Sequence, residues 1–116
     1  MATVLSEFGH GIIYEPDPGL AVSRANIVYI DTWVSMGKER EAKNRRRDFS
    51  SHQINSQVMT SGQKSLKFMH CLPAHGGDEV AAEVPRFSAS IVFTQAENRN
   101  YAQQAIVHSS VNTSAK

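Results

Sequence analysis

Short apolar runs punctuate this chain at Ile12-Ile13-Tyr14, Ile27-Val28-Tyr29-Ile30, Leu66 to Met69 and Ile91-Val92-Phe93. Each is too short for a helix and rich in apolar, mostly β-forming residues, so each reads as a buried strand. Between them lie segments of helical character at residues 18–24, 38–49, 53–59, 78–84 and 97–111. The first is opened by Asp17-Pro18, a capping carboxylate followed by proline where a missing N–H costs nothing. Alternation of this kind predicts an α/β fold with a narrow, mostly parallel sheet of about four strands, helices on both faces and right-handed crossovers. Residues 2–8, closed by Gly9 and Gly11, read as a short helix, and the small, polar tail 112–116 is expected to fray.

The length of 116 residues fits one domain with a single modest core. A hydrophobic share of 41% excludes intrinsic disorder. No stretch approaches the roughly 20 apolar residues of a membrane span, and residues 1–8 lack the basic flank and apolar core of a signal peptide. The single Cys71 excludes an intramolecular disulfide and fits a reducing compartment, so a cytoplasmic location is expected. A formal net charge of +1 argues against a nucleic-acid partner. The basic run at 38–47 interleaves its charges, with Glu39 and Lys43, and Glu41 and Arg45, spaced i to i+4, and carries no aromatic residue, the pattern of a solvated helix face. The apolar spacing of Tyr101, Ala105, Ile106 and Val111 predicts a helix face turned to the core.

In open parallel sheets ligands bind outside the carboxyl ends of the strands, where loops and helix N-termini converge. The second strand exits into Asp31-Thr32-Trp33-Val34-Ser35-Met36-Gly37, the third into His70-Cys71-Leu72-Pro73-Ala74-His75, and the fourth into Thr94-Gln95-Ala96-Glu97-Asn98-Arg99. A carboxylate, hydroxyls, a thiol and a guanidinium would share one rim, suited to a zwitterionic amine and an oxyanion. Each also has a plainer role. Cys71 fits a small buried hydrophobe as well as a nucleophile, and Asp31 fits a cap on the following turn. Neighbouring strand residues point to opposite faces, so His70 is badly placed as a base for Cys71. Only His70 and His75 among the histidines are close in sequence, and no metal site is expected.

Taken together the three exits resemble those of ornithine carbamoyltransferases. Asp31 to Gly37 is similar to that family's mobile ornithine-binding loop, His70-Cys71-Leu72-Pro73 to its active-site cysteine motif, and Ala96-Glu97-Asn98-Arg99 to its terminal substrate-contacting motif. Asp17-Pro18, Ala21-Val22, Phe49, Gln53-Ile54-Asn55 and Glu79-Val80 fall where the family would have them, so the resemblance runs from about Gly11 to Val107. Aspartate-specific relatives usually carry proline at the cysteine position and lack the Ser-Met-Gly loop, as putrescine-specific relatives do, so Cys71 with Ser35-Met36-Gly37 points to ornithine.

The resemblance implies that Asp31 and Ser35 contact the ornithine amino end and that the Met36 backbone meets its carboxylate. Cys71 would lie near the attacking amine, the Leu72 carbonyl would accept from the carbamoyl amide, and Arg99 would stabilise the carbamoyl oxygen. The implied reaction joins L-ornithine and carbamoyl phosphate to give citrulline and phosphate, in arginine synthesis or breakdown, with no metal or organic cofactor. The family's Ser-Thr-Arg-Thr phosphate loop and His-Pro motif do not occur in these residues, nor do the first strand and Asn-bearing loop of its ornithine domain. Residues 1–116 are thus expected to be one N-terminally incomplete, Rossmann-like ornithine-binding domain. It would lack the carbamoyl-phosphate-binding domain, be inactive alone, and need a separate carbamoyl-phosphate-binding half. The contrasting expectation is a stand-alone amino-acid-binding or interaction module without the reaction.

Overall fold

The computed structural model of the protein describes residues 11–113. The short helix expected at 2–8 lies outside them, as does the end of the tail from residue 114.

The first helix among the described residues, α1 (Pro18–Ser23), starts where the Asp-Pro pair places it. Asp17 Oδ1 accepts from the N–H groups of Gly19 at 2.8 Å and Leu20 at 3.1 Å, satisfying donors that the first turn leaves without intrahelical partners. The chain then forms β1 (Ile27–Ile30) and, after a long crossover, β2 (Lys67–His70). The two pair in parallel, with Ile27 opposite Lys67, Val28 opposite Phe68, Tyr29 opposite Met69 and Ile30 opposite His70. The crossover carries α2 (Ala42–Phe49), preceded by a 3₁₀ turn at Glu39–Glu41, and α3 (Ser56–Thr60), capped by the Asn55 side chain on the Val58 N–H at 3.0 Å. The last helix, α4 (Val92–Thr113), is 22 residues long.

Because strand side chains alternate, Val28 and Phe68 share the inner face, with Ile30 and His70 beyond them. Val22, Ile54, Val58, Met59, Leu66, Val80, Val84 and Val92 complete a small, mostly valine and leucine-sized core around Phe68, which has no exposed surface. On the other face Ile27 and Tyr29 are more than half exposed.

The α/β class and the parallel pairing expected from the sequence are present, but the sheet has two strands among the described residues. Residues 12–14 are exposed and outside any strand. The fourth run is reduced to a parallel bridge between Phe68 and Ser90, fixed by Phe68 N–H to Ala89 O at 3.0 Å and Ile91 N–H to Phe68 O at 2.9 Å. Immediately after it the chain turns into α4, so Val92 is buried and Phe93 exposed on a helical rather than an extended period. The helix expected at 78–84 is absent because its backbone is taken by another partner: Ile54 N–H donates to Glu79 O at 3.0 Å and Ala81 N–H to Ile54 O at 2.9 Å. A 3₁₀ turn at Val84–Arg86 follows.

From Glu97 to Asn112 every residue of α4 is exposed, including Tyr101, Ile106, Val107 and Val111. The face expected to join the core therefore does not. Amphipathic spacing reports that a face needs cover, without saying which surface supplies it. A helix of this length extends about 33 Å, and the radius of gyration of 17.3 Å exceeds the ~13 Å typical of a compact chain of this size. No helix among the described residues is long and apolar enough to cross a membrane.

Candidate functional site

Two parallel neighbours end at the same edge of the sheet, so the residues after Ile30 and His70 meet there. Cys71 Sγ–H donates to Asp31 Oδ1 at 3.0 Å across 40 residues of sequence. The Thr32 N–H donates to the same oxygen at 2.7 Å, so Asp31 also serves the turn-capping role its position allows. Arg99, two turns into α4, donates from Nη1 to the Cys71 carbonyl at 3.1 Å. One turn earlier Gln95 ties the helix to the sheet, accepting on Oε1 from the His70 N–H at 3.0 Å and donating from Nε2 to the Tyr29 hydroxyl at 3.4 Å. Asp31, Cys71 and Arg99 thus form one hydrogen-bonded cluster at the strand exits, as the exit argument requires.

The shared hydrogen bond acts oppositely on its two ends. Donation from the Cys71 thiol, reinforced by the Thr32 N–H, holds the Asp31 carboxyl below the ordinary carboxylate range. The same bond, with partial burial and the Asp31 charge, pushes the Cys71 thiol above its ordinary value. Cys71 therefore stands at neutral pH as a thiol donor, and its thiolate, the nucleophilic form, is disfavoured. Alkylation by iodoacetamide should accordingly show a midpoint above the ~8.5 of a free cysteine. Asp31→Asn, which removes the negative charge, should lower that midpoint and raise the rate at pH 8 by about threefold or more. An unchanged rate profile in Asp31→Asn would contradict this coupling.

Of the remaining expected site residues, Leu72 follows Cys71 directly, whereas Ser35 and Met36 stand apart from the cluster. Ser35 and Met36 lie on the exposed loop after β1, with Met36 almost fully solvated. Gly37 closes that loop at φ +82°, a conformation open to glycine at little cost. The loop is nonetheless pinned at its root. Trp33 is buried and stacks on Phe49 at 6.3 Å, and Arg45 donates to the Trp33 carbonyl at 3.3 Å while pairing with Glu41 at 3.0 Å. Of the two i to i+4 pairs expected in the basic run, Glu41 and Arg45 meet, whereas Glu39 accepts from the Gly37 N–H at 2.9 Å. Arg46 reaches Asp78 at 2.7 Å, so α2 bridges both exit loops rather than simply facing solvent. Between those loops lies a cleft of about 520 Å³ lined by Thr32, Val34, Met36, Pro73, His75 and Glu79, among others.

Leu72 has φ +53°, unusual for a residue with a branched side chain and costing roughly 1–3 kcal/mol. Its N–H donates to His70 Nδ1 at 2.9 Å. His70 faces away from Cys71 and toward Glu79, and both side chains are buried. This agrees with the alternation argument against a His70–Cys71 catalytic pair. Glu79 and the bridging role of Gln95 escaped the sequence reading, since neither has a local signal; their partners are distant in the chain or set by the turn. Among the described residues no group of three or more His, Cys, Asp or Glu side chains is arranged to hold a metal ion.

Comparison with known proteins identifies the family. The family model described as "Aspartate/ornithine carbamoyltransferase, Asp/Orn binding domain" matches residues 2–109. An ornithine carbamoyltransferase of Symbiobacterium thermophilum is 53% identical over 91 residues, covering 78% of this chain and 29% of that protein. Among solved structures, ornithine carbamoyltransferase from Pyrococcus furiosus superposes with a TM-score of 0.70 at 45% identity, over 78% of this chain and 29% of that one. The enzyme from Thermus thermophilus gives 0.76 at 31% identity, over 92% of this chain and 34% of that one. The chain thus spans about a third of the length of the relatives it matches. With a family model matching nearly its whole length and a relative 53% identical over 78% of it, the chain belongs to the aspartate/ornithine carbamoyltransferase family, in the part that carries its Asp/Orn binding domain.

Proposed function

We propose that this chain is the ornithine-binding part of an ornithine carbamoyltransferase. With a carbamoyl-phosphate-binding half, it transfers the carbamoyl group to L-ornithine to give citrulline and phosphate. The observation that carries the reading is the hydrogen-bonded cluster of Asp31, Cys71 and Arg99 at the strand exits. It supplies an anion for an ammonium, a sulfur beside the nucleophile and a cation for a developing oxyanion.

In this reading Asp31 and Ser35 receive the ornithine α-amino end and the Met36 backbone its carboxylate. An ammonium is a stronger donor than a thiol, so the incoming amino group displaces Cys71 Sγ from Asp31 Oδ1. That releases the sulfur toward the side-chain amine and removes the largest cause of its raised pKa. The neutral side-chain amine attacks the carbamoyl carbon, forming a C–N bond. The tetrahedral intermediate then breaks its bond to the phosphate oxygen, and the amine proton leaves with the departing phosphate. The Leu72 carbonyl accepts from the carbamoyl NH₂ while Arg99 faces the carbamoyl oxygen, where preorganised charge acts most strongly on the rate. The exposed apolar side chains Ile106, Val107 and Val111 on α4 support a second half that covers them. The lone thiol fits a cytoplasmic setting, in which it stays reduced.

The ligand part of this reading is tested by NMR titration of the chain. L-Ornithine at millimolar concentration, about 4 kcal/mol of binding, is expected to shift signals of Asp31, Ser35, Met36 and Cys71, while L-aspartate and putrescine leave them in place. Equal shifts with all three ligands, or ornithine shifts confined to other surfaces, would overturn the assignment.

A further inference from the structure

The exit segment from His70 to His75 is held by side chains where a sheet would use backbone. The His70 N–H donates to Gln95, the Leu72 N–H to His70 Nδ1 at 2.9 Å, and the His75 N–H to Glu79 Oε1 at 2.6 Å, while the Cys71 carbonyl accepts from Arg99 at 3.1 Å. Two of these bonds belong to one peptide unit. The Cys71 carbonyl and the Leu72 N–H lie in the same plane and point in opposite directions. That plane is therefore gripped from the protein interior by the His70 ring and from the surface by the Arg99 guanidinium.

The grip also settles the state of the ring. Nδ1 accepts from the Leu72 N–H and so carries no proton, which puts the ring proton on Nε2. Nε2 lies 3.3 Å from Glu79 Oε1, a long and poorly directed contact, and has no other partner among the described residues. His70 and Glu79 are each 1% exposed, so water cannot readily substitute for either.

We infer that His70 is a positioning residue that clamps the Cys71–Leu72 peptide plane and thereby sets both Arg99 and the Leu72 carbonyl against the carbamoyl group. The clamp follows from geometry alone; its consequence for turnover rests on the proposed carbamoyl transfer. Leu72 is kept at positive φ because its N–H is committed to the interior, and Arg99 has a fixed carbonyl to lean on only while that plane is held.

The test separates the two ring nitrogens. Asparagine offers an acceptor near the position of Nδ1 without reaching Glu79, whereas glutamine reaches the position of Nε2 without an acceptor near Nδ1. In the wild-type chain, ¹H–¹⁵N correlation of the His70 ring should show the proton on Nε2. Amide exchange at Leu72 should quicken by about tenfold or more in His70→Gln and stay within about threefold of wild type in His70→Asn. With a carbamoyl-phosphate half added, His70→Gln should lower kcat by about 10²-fold with the KM for ornithine nearly unmoved, and His70→Asn should recover part of that loss. A proton on Nδ1 in the wild type, or equal Leu72 protection in the two variants, overturns the clamp. If His70→Gln does not fold, the wild-type tautomer and Leu72 exchange in His70→Asn decide it: fast exchange there overturns the clamp and retained protection supports it. If the wild-type mixture makes no citrulline, the carbamoyl-transfer reading fails, and the tautomer and exchange data still decide the clamp.

Discussion

Phe68→Ala is expected to remove most of the stability of the fold. Phe68 is the largest side chain at the centre of a core otherwise made mainly of valines and leucine-sized residues, and it has no exposed surface. Its backbone also joins β2 to Ala89 and Ile91, so the hole would open where sheet and α4 are fastened. A buried phenylalanine truncated to alanine costs about 3–5 kcal/mol, against a total of about 5–15 kcal/mol for a domain. Urea unfolding followed by circular dichroism should show the midpoint fall by roughly 2 M, given slopes of about 1–3 kcal/mol per molar for small proteins. A loss below about 1 kcal/mol would mean that the core is not centred on this residue.

In the proposed carbamoyl transfer, with a carbamoyl-phosphate-binding half added, Arg99→Ala should have the largest effect on turnover. Arg99 is exposed and gives Nη1 to the Cys71 carbonyl, and a guanidinium has five N–H donors, so others are available to a substrate oxygen. Loss of one preorganised donor to a developing oxyanion costs about 10²–10³ in kcat. Lysine keeps the charge without the planar fork, so Arg99→Lys should recover only part of the loss. Turnover within about threefold of wild type in Arg99→Ala would remove this residue from the chemistry.

The parts of the fold legible in the sequence are those set by neighbours. Asp17-Pro18 announces α1 because the cap and the N–H groups it serves lie within three residues of each other. Residues 27–30 and 66–69 were readable as strands to within one residue, because four apolar positions in a row at 27–30, and Leu66, Phe68 and Met69 around Lys67, carry a usable signal. Residues 12–14 and 91–93 were not, since three apolar residues fit the start of a helix as well as a strand, and what marks 91–93 as a helix start is the bond from the Gln95 N–H to the Ile91 carbonyl at 2.8 Å. Residues 78–84 have helical composition, yet pairing with Ile54 captures their backbone, and no local pattern encodes a partner that distant.

The candidate site divides in the same way. That Asp31, Cys71 and Arg99 share an edge follows from strand direction once the runs are placed, and the motif resemblance narrowed the chemistry further. The bond between Asp31 and Cys71 joins residues 40 positions apart and makes the cysteine a restrained donor, neither the small buried hydrophobe nor the nucleophile that its position alone allows. The buried His70 and Glu79 were hidden for a related reason, since a charged residue beside Val80 in sequence gives no sign that its carboxylate turns inward to the His75 N–H. The exposed apolar positions of α4 read as core because periodicity describes the helix and not its neighbour.

Citrulline production is the most direct test of the account as a whole. The chain alone, supplied with L-ornithine and carbamoyl phosphate, should make none that is detectable. Holding the second reactant in near-attack geometry is worth roughly 7–11 kcal/mol, and Arg99 by itself cannot position a phosphate dianion. Mixing the chain with a separately expressed carbamoyl-phosphate-binding domain from a relative should restore formation of citrulline and phosphate in equal amounts, and Arg99→Ala in the same mixture should abolish most of it. Turnover by the isolated chain that is lost in Cys71→Ala or Arg99→Ala would contradict the need for a second half. A mixture in which the two halves associate and the chain binds ornithine, yet no citrulline forms, would contradict the transferase reading and leave a stand-alone amino-acid-binding module in its place.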